Sequence, residues 1–442
     1  MEVEQEREPS SSSLSSSSAA MKRFGLKNSI QTNFGDDYVF QIVAREDWTS
    51  MAVSLSSNAV KLYSPLTGQY LGECRGHSAT VNHISFNVPS SPHILCSSSS
   101  DATIRFWDTR TFHQASLSLC ALSYMFFVLV SVLWYLDVFL HLSFMFFTSS
   151  IYFLEMIKYV VLIVVSFINA GPSEEVFSFS FGGPADNLLA AGCKSQVVFW
   201  DWRTMKKAAC LEESHMEDVT QVHFVPGHQN KLLSASVDGL MCLFDTSGDI
   251  NEDDHLESVL NVGTSIGKVG FCGDSNQKIW CLTHIETLSV WDWKESIMEV
   301  NFEDARSLTS DRWTLGHVDY FVDCYYSMDE NRLWVIGGTN SGTLGYFPLY
   351  CKSSQGGAST IGSAEAVLLG GHAGTVRSIL PMSRLSGRIT QSQGIFGWTG
   401  GEDGRLCCWL SDEAFDSNRS FISSALVAKV QKNSRKSRHS PY

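Results

Sequence analysis

The residues that could carry chemistry do not form the constellation of an enzyme. Residues 263–269 (G-T-S-I-G-K-V) are similar to a phosphate-binding loop. However, three residues instead of four separate the glycines, and Val269 stands where Ser or Thr should bind magnesium. None of the 12 cysteines is spaced C-x-x-C, and no Cys/His cluster suggests a metal site. We therefore expect no catalytic residue, no cofactor and no metal ion.

An aromatic residue that ends an apolar run, often followed by Asp, recurs along the chain. Successive members are 44, 93, 44, 47, 56 and 62 residues apart. The runs are rich in β-branched and aromatic residues and are separated by Gly, Asn, Asp and Ser, which is typical of strands. A period of about 40–45 residues predicts repeated four-stranded propeller blades. The aromatic residues are Tyr63, Trp107, Trp200, Phe244, Trp291, Phe347 and Trp409.

The second of these units carries a fuller pattern. A Gly-His pair opens it, Asp101 lies in a turn, and T-I-R-F-W-D closes it. This pattern resembles the WD-repeat family. The resemblance implies a structural tetrad of His77, Ser97, Asp101 and Trp107, in which Asp accepts a hydrogen bond from His, and His bonds Ser and Trp. A satisfied network of this kind makes a blade rigid.

Other units repeat the pattern with losses. The seventh contains His372, Asp403 and Trp409, and the fourth contains His215, Asp238 and Phe244. The third unit lacks the His, and the sixth ends in Y-F-P. The expected fold is an all-β, seven-bladed WD-repeat β-propeller in a single domain. Residues 22–34 are expected to close the ring as the outer strand of the blade that contains Trp409.

Residues 115–164 do not follow the repeat. They are apolar, with only Asp137, Glu155 and Lys158 charged, and Leu117–Leu136 is long enough to span a bilayer. Yet the gap of 93 falls to 43 when these 50 residues are subtracted. Joining Gln114 to Val165 also makes the stretch from Trp107 to Val176 20 residues long, the same as that from Trp200 to Val219 in the following unit. The segment therefore interrupts a blade before its outer strand.

The composition of this segment suggests its origin. Its amino acids use codons rich in U, as a translated plant intron would. A retained intron or a gene-model error is therefore the preferred interpretation. A membrane hairpin, which would make the protein a membrane-tethered propeller, and a natural loop insertion are the alternatives. If translated, the segment would expose more apolar area than a soluble monomer tolerates.

Two W-D-x-R boxes have a possible binding role. They comprise Trp107, Asp108 and Arg110 in the second unit and Trp200 to Arg203 in the third. Such boxes resemble those of substrate receptors of cullin-RING ubiquitin ligases, in which the Arg contacts the adaptor. The same letters also arise from blade sequence alone. The resemblance therefore implies adaptor docking through Arg110 and Arg203 only as an alternative function.

The two ends of the chain differ in charge. Residues 1–20 are Ser-rich without a secretory signal, so we expect them to be disordered. Residues 429–442 carry five cations and no acid, which indicates a solvated tail or one that directs nuclear import or contacts RNA weakly. The cations are Lys429, Lys432, Arg435, Lys436 and Arg438. Propeller blades are expected in 21–114 and 165–428.

The net charge of −14 excludes a broad basic surface for nucleic acid. Residues 21–114 and 165–442 resemble plant homologues of WD repeat-containing protein 89, of the GIGANTUS type. That resemblance implies a non-catalytic monomeric scaffold that binds other proteins in the nucleus and cytoplasm. Nuclear assembly, ribosome production and growth control remain open as its process.

Overall fold

The structure is a computed structural model that describes residues 21–32, 36–114, 167–171, 174–250, 255–328, 330–351, 359–381 and 395–410. The described residues form thirty strands and one short helix. The first half of the strands comprises β1 (Lys22–Gln31), β2 (Val39–Ala44), β3 (Met51–Leu55), β4 (Val60–Tyr63), β5 (Tyr70–Cys74), β6 (Val81–Ser85), β7 (Ile94–Ser99), β8 (Thr103–Asp108), β9 (His113–Gln114), β10 (Phe167–Asn169), β11 (Ser178–Gly182), β12 (Leu188–Gly192), β13 (Val197–Asp201), β14 (Lys206–Leu211) and β15 (Val219–Val225).

The remaining elements continue the same succession of short strands. They are β16 (His228–Ser236), β17 (Leu240–Asp245), β18 (Leu256–Asn261), β19 (Ile266–Cys272), β20 (Lys278–Thr283), β21 (Leu288–Asp292), β22 (Ile297–Phe302), α1 (Ala305–Asp311), β23 (Tyr320–Ser327), β24 (Arg332–Gly338), β25 (Leu344–Tyr350), β26 (Thr360–Ile361), β27 (Ala366–Leu368), β28 (Val376–Pro381), β29 (Ile395–Gly401) and β30 (Arg405–Leu410).

These strands pair into seven antiparallel blades. Blade 1 is β2–β5, blade 2 is β6–β10, blade 3 is β11–β14, blade 4 is β15–β18, blade 5 is β19–β22, blade 6 is β23–β27, and blade 7 is β28–β30 with β1. The second strand of a blade is buried on both faces because a neighbouring blade covers each, so it is a continuous apolar or small-residue run. The expected all-β, seven-bladed propeller is confirmed.

Seven clusters of buried side chains hold the ring together. Each cluster draws its residues from two neighbouring blades. One of them joins blade 7 to blade 1 through Trp398, Val39 and Met51, so the ring is closed. The core therefore lies between the blades.

The N-terminal strand closes the ring. β1 runs antiparallel to β30, from Gly25 opposite Leu410 to Gln31 opposite Arg405, and is the outer strand of blade 7 as the sequence predicts. Its first residues also pair in parallel with β27 of blade 6. One strand thus pairs with two blades. Residues 33 and 34, the end of the predicted ring-closing strand, lie outside the described residues.

The outer strand of blade 2 has two described pieces. β9 pairs with the end of β8, and β10 pairs with its beginning, with Phe167 opposite Arg105. The predicted insertion, 115–164, lies between these pieces and outside the described residues. In the part of the chain that the structure describes, no helix is long and apolar enough to cross a membrane.

Candidate functional site

The structure brings the four side chains of the first predicted tetrad together in blade 2. His77 Nδ1 lies 2.9 Å from Asp101 Oδ2, and His77 Nε2 lies 2.7 Å from Ser97 Oγ. Trp107 Nε1 donates to the same Ser97 Oγ at 2.7 Å. The network assigns the Nδ1 proton to His77, so that Ser97 donates to Nε2 and accepts from Trp107. Every polar group is satisfied.

Burial and hydrogen bonding set the charges of this network. Burial lowers the pKa of His77, although Asp101 opposes the shift. Burial alone would raise the pKa of Asp101, but hydrogen bonds from Thr103, from the backbone of Ser78 and from His77 lower it to about 2. Asp101 therefore remains a carboxylate, and His77 is held as its neutral donor.

A serine, a histidine and an aspartate in series are also the parts of a hydrolytic triad. Here Ser97 is fully buried and its Oγ already accepts from Trp107. A nucleophile must reach its substrate, and this one cannot. The arrangement can stiffen the blade, and it offers no route to acyl transfer.

Two further blades repeat the network. In blade 7, His372 Nδ1 lies 3.0 Å from Asp403 and Nε2 lies 2.7 Å from Thr399 Oγ1, to which Trp409 donates at 2.8 Å. Burial lowers the pKa of His372, but hydrogen bonds to Asp403 and Cys407 outweigh it and raise the value to about 9. Asp403 therefore orients this histidine as Asp101 orients His77.

The hydroxyl residues of the other two networks were missed by sequence reasoning. In blade 4, His215 lies 3.0 Å from Asp238 and 2.7 Å from Ser234 Oγ. Phe244 is buried at the position that Trp107 has in blade 2, and its ring has no N–H to donate to Ser234. Ser234 and Thr399 each precede the aspartate by four residues, as Ser97 precedes Asp101. That fixed spacing was the signal that could have found them.

We expect Asp101→Ala to destabilise the protein by about 1–3 kcal/mol, because His77 loses its acceptor inside the blade. Thermal unfolding followed by circular dichroism measures the change. Glu175→Ala is the matched control, since Glu175 forms only a partly exposed ion pair with Lys194 at 3.6 Å. A melting temperature of Asp101→Ala equal to that of the control would contradict a structural role.

A Ser–His pair in blade 5 was also missed. Residues 263–267 (G-T-S-I-G) fit the pattern G-x-S-x-G, and Ser265 Oγ lies 2.6 Å from His284 Nδ1. A nucleophile of that pattern stands on a strand-to-helix turn, whereas Ser265 lies between two strands. No carboxylate among the described residues contacts His284. The pair therefore joins two turns and lacks the orienting acid of a triad.

The W-D turns lie at the opposite end of each blade from the tetrads. In four blades the Asp carboxylate accepts from the backbone N–H two residues later at 2.9 Å. The residue between them donates a side-chain hydrogen bond to a carbonyl in the turn between the first two strands or, in blade 4, near the start of the second strand. These donors are Thr109, Trp202, Thr246 and Trp293. The first three letters of W-D-x-R thus have a structural explanation.

The two arginines of the W-D-x-R boxes differ. The Arg110 side chain is 65% exposed, and its guanidinium contacts both carboxylate oxygens of Asp108. Arg203 instead donates to the carbonyl of Ala185 at 3.0 Å and lies 5.6 Å from the Trp202 ring. Arg110 is therefore presented to solvent, whereas Arg203 is used within its blade.

The predictions about metal ions and about the tail concern different parts of the chain. Among the described residues no group of three or more His, Cys, Asp or Glu could hold a metal ion. The five cations of the predicted tail, from Lys429 to Arg438, lie outside the described residues.

Comparisons with known proteins agree with the geometry. Residues 68–108, which include the first tetrad, match the family model "WD domain, G-beta repeat". The chain is 57% identical to the Arabidopsis thaliana WD repeat-containing protein GTS1 over 444 residues, covering 99% of this chain and 98% of that protein. It is 28% identical over 312 residues to a WD repeat-containing protein 89 homolog from Dictyostelium discoideum, covering 70% of each chain.

Proposed function

This chain belongs to the WD-repeat family, and we propose that it is a non-catalytic scaffold on which other proteins assemble. The observation that carries the proposal is the burial of the tetrad side chains, with His77, His215 and His372 all under 9% exposed. The polar groups of each tetrad hydrogen-bond to one another, so the tetrads make the blades rigid. The rigid ring presents its turns to solvent. Turns on a rigid frame are where such folds bind partners.

Affinity purification of the tagged full chain, followed by mass spectrometry, tests the proposal. Met216 is 89% exposed beside the tetrad of blade 4, and Met328 is 66% exposed in a turn at the opposite end of blade 6. We compare Met216→Lys with Met328→Lys, which form a matched pair. Loss of a specific partner from one variant alone identifies the binding face. Recovery of no specific partner by the unchanged chain would contradict a scaffold.

We also propose that the protein acts in nuclear assembly, ribosome production or growth control, and that it occupies both nucleus and cytoplasm. The five cations of residues 429–442 support the nuclear location in this proposal. Deletion of 429–442 should shift a fluorescent fusion from nucleus toward cytoplasm, because a lysine- and arginine-rich segment is what import receptors bind. Replacement by a Gly/Ser segment of equal length is the control for length. An unchanged distribution would leave the tail without a role in import.

A second candidate function is that of a substrate receptor of a cullin-RING ligase. The exposed guanidinium of Arg110, held outward by Asp108, favours it. Arg110→Ala should abolish co-precipitation of the cullin complex and leave the circular dichroism spectrum unchanged. Lys294→Ala is the matched control, because Lys294 occupies the same position of the turn in blade 5. Absence of cullin and adaptor from the unchanged chain's precipitate removes this candidate.

A further inference from the structure

A groove of about 440 Å³ opens between blades 5 and 6. Its floor is apolar and shares residues with the core between these blades, including Cys272 and Leu333. Tyr326 and Tyr350 line it, and Tyr350 is 45% exposed. The groove therefore combines a floor of buried core residues with one exposed aromatic ring, that of Tyr350.

The charges at the rim make this groove acidic. Lys278 and Arg332 line it, but Lys278 is paired with Glu299 at 2.6 Å and Arg332 with Glu365 at 3.0 Å. Asp274 and Glu330 also line the groove, and in the described part of the chain neither forms an ion pair. The uncompensated charges are thus two exposed carboxylates, which attract lysine and arginine side chains. The Tyr350 ring already has the guanidinium of Arg332 at 5.7 Å from its centroid.

The C-terminal end of the described chain lies on the same side of the ring. The groove is lined by the turns that join the first and second strands of blades 5 and 6. In blade 7, Leu410 pairs with Ile395, the first residue of the second strand, so Leu410 ends at the corresponding end of its blade. The chain beyond Leu410 therefore begins on the face that carries the groove, one blade away from it.

We propose that the basic tail, residues 429–442, docks in the groove between blades 5 and 6. Eighteen residues, 411–428, separate β30 from the tail. Fully extended they reach about 60 Å, and as a flexible coil they span about 24 Å on average. Tethering raises the local concentration of the tail to the order of millimolar, so individually weak contacts suffice. Five cations then meet the carboxylates of Asp274 and Glu330.

Docking would control whether the tail is accessible. The same Lys and Arg side chains cannot contact the groove and an import receptor or RNA at once. The contact is electrostatic at its rim, so salt weakens it and a partner that covers the groove releases the tail. This inference is independent of the scaffold role, because it concerns contacts within one chain.

Cys351 supplies a reporter in the unaltered protein. It lines the groove and is exposed, whereas the other described cysteines are buried or half-buried. A cysteine-to-lysine crosslinker applied to the full chain at low salt should join Cys351 to Lys432 or Lys436, as read by mass spectrometry. The crosslink should disappear in 1 M salt, where the screening length is about 3 Å.

Variants of the rim make the test specific. Asp274→Asn combined with Glu330→Gln should lower the crosslink yield about fivefold, which two exposed ion pairs of ordinary strength provide. Glu295→Gln, an exposed acid in another turn at the same end of blade 5, should leave the yield unchanged. All three substitutions are at exposed positions, so melting temperatures should match the unchanged chain.

Two outcomes overturn the proposal. One is a Cys351–tail crosslink that is absent at low salt or equal in the rim variant and the control. The other is a crosslink that joins two copies, which a mixture of isotopically labelled and unlabelled chains reveals as peptides of mixed label. A crosslink confined to single-label peptides and lost in the rim variant supports docking within the chain.

Discussion

Deleting residues 115–164 is expected to leave a propeller that folds and stays in the soluble fraction, whereas a large part of the full chain aggregates and only the remainder stays soluble. The deleted segment has three charged residues among fifty, and a soluble monomer has no surface to cover it. Loop closure alone would tolerate it, because the entropic cost grows only with the logarithm of length. The expected increase in the soluble fraction comes from removing exposed apolar area.

Strand register supports a join between residues 114 and 165. In blade 3, Lys207 pairs with Trp200 and Cys210 pairs with Val198, and two residues of the outer strand, one of them bulged, lie between these pairs. The corresponding pairs in blade 2 are Gln114 with Trp107 and Phe167 with Arg105.

The deletion leaves two residues, 165 and 166, between Gln114 and Phe167, the number that blade 3 has. In the continuous outer strand, Ile168, which is 3% exposed, then keeps its position in the core between blades 2 and 3. Neighbouring strands pair about 4.8 Å apart and tolerate no spare residue outside a bulge. A join of this length therefore fits the blade.

Two measurements check the prediction. Centrifugation and thermal unfolding compare the deleted and full chains, and a deletion three residues longer, 115–167, is the control that breaks the register. Sequencing of cDNA across codons 114 and 165 should show most transcripts joined there. Retention of the 150 nucleotides in most transcripts, with protein that pellets with membranes, would contradict the prediction and favour a membrane-tethered propeller.

Local spacing predicted the blades because the strands of six of the seven follow one another in the sequence. The ring-closing strand was also predictable from the family resemblance, since propellers of this family often pair strands from both ends of the chain in one blade. Thr399 and Ser234 were missed because a small hydroxyl residue gives no signal until the aspartate four residues later is used. The groove between blades 5 and 6 was not predictable, because its two turns, near Asp274 and Glu330, meet only when these blades pack against each other.

Removing residues 1–31 is expected to have the second large effect, loss of cooperative folding. β1 pairs with β30 over most of its length and with β27 at its start, so its removal exposes edges on two blades. Phe24 stacks on Phe396 with ring centroids 3.9 Å apart, inside the cluster between blades 6 and 7. Each large apolar side chain taken from such a cluster costs about 1.5–3 kcal/mol.

The loss of stability is larger than the sum of these contacts, because a propeller is stable as a closed ring. Without β1, blade 7 keeps three strands, and Trp409 and Cys407, both fully buried in the intact chain, lie next to an open edge. We expect the variant to unfold without a sharp transition and to bind a dye that reports exposed apolar surface. Circular dichroism and dye fluorescence measure the two effects.

Deletion of residues 1–20 is the matched control, because it removes two thirds as much chain and leaves β1 intact. Its melting temperature should equal that of the full chain. A synthetic peptide of residues 21–34, added to the variant that lacks 1–31, should restore a sharp transition in proportion to its concentration, because it binds only the folded ring. Substituting Asp for Phe24 within the peptide should abolish rescue. If the shortened chain unfolds as sharply as the control without the peptide, blades 6 and 7 do not need their shared strand, and ring closure rests on the side-chain clusters alone.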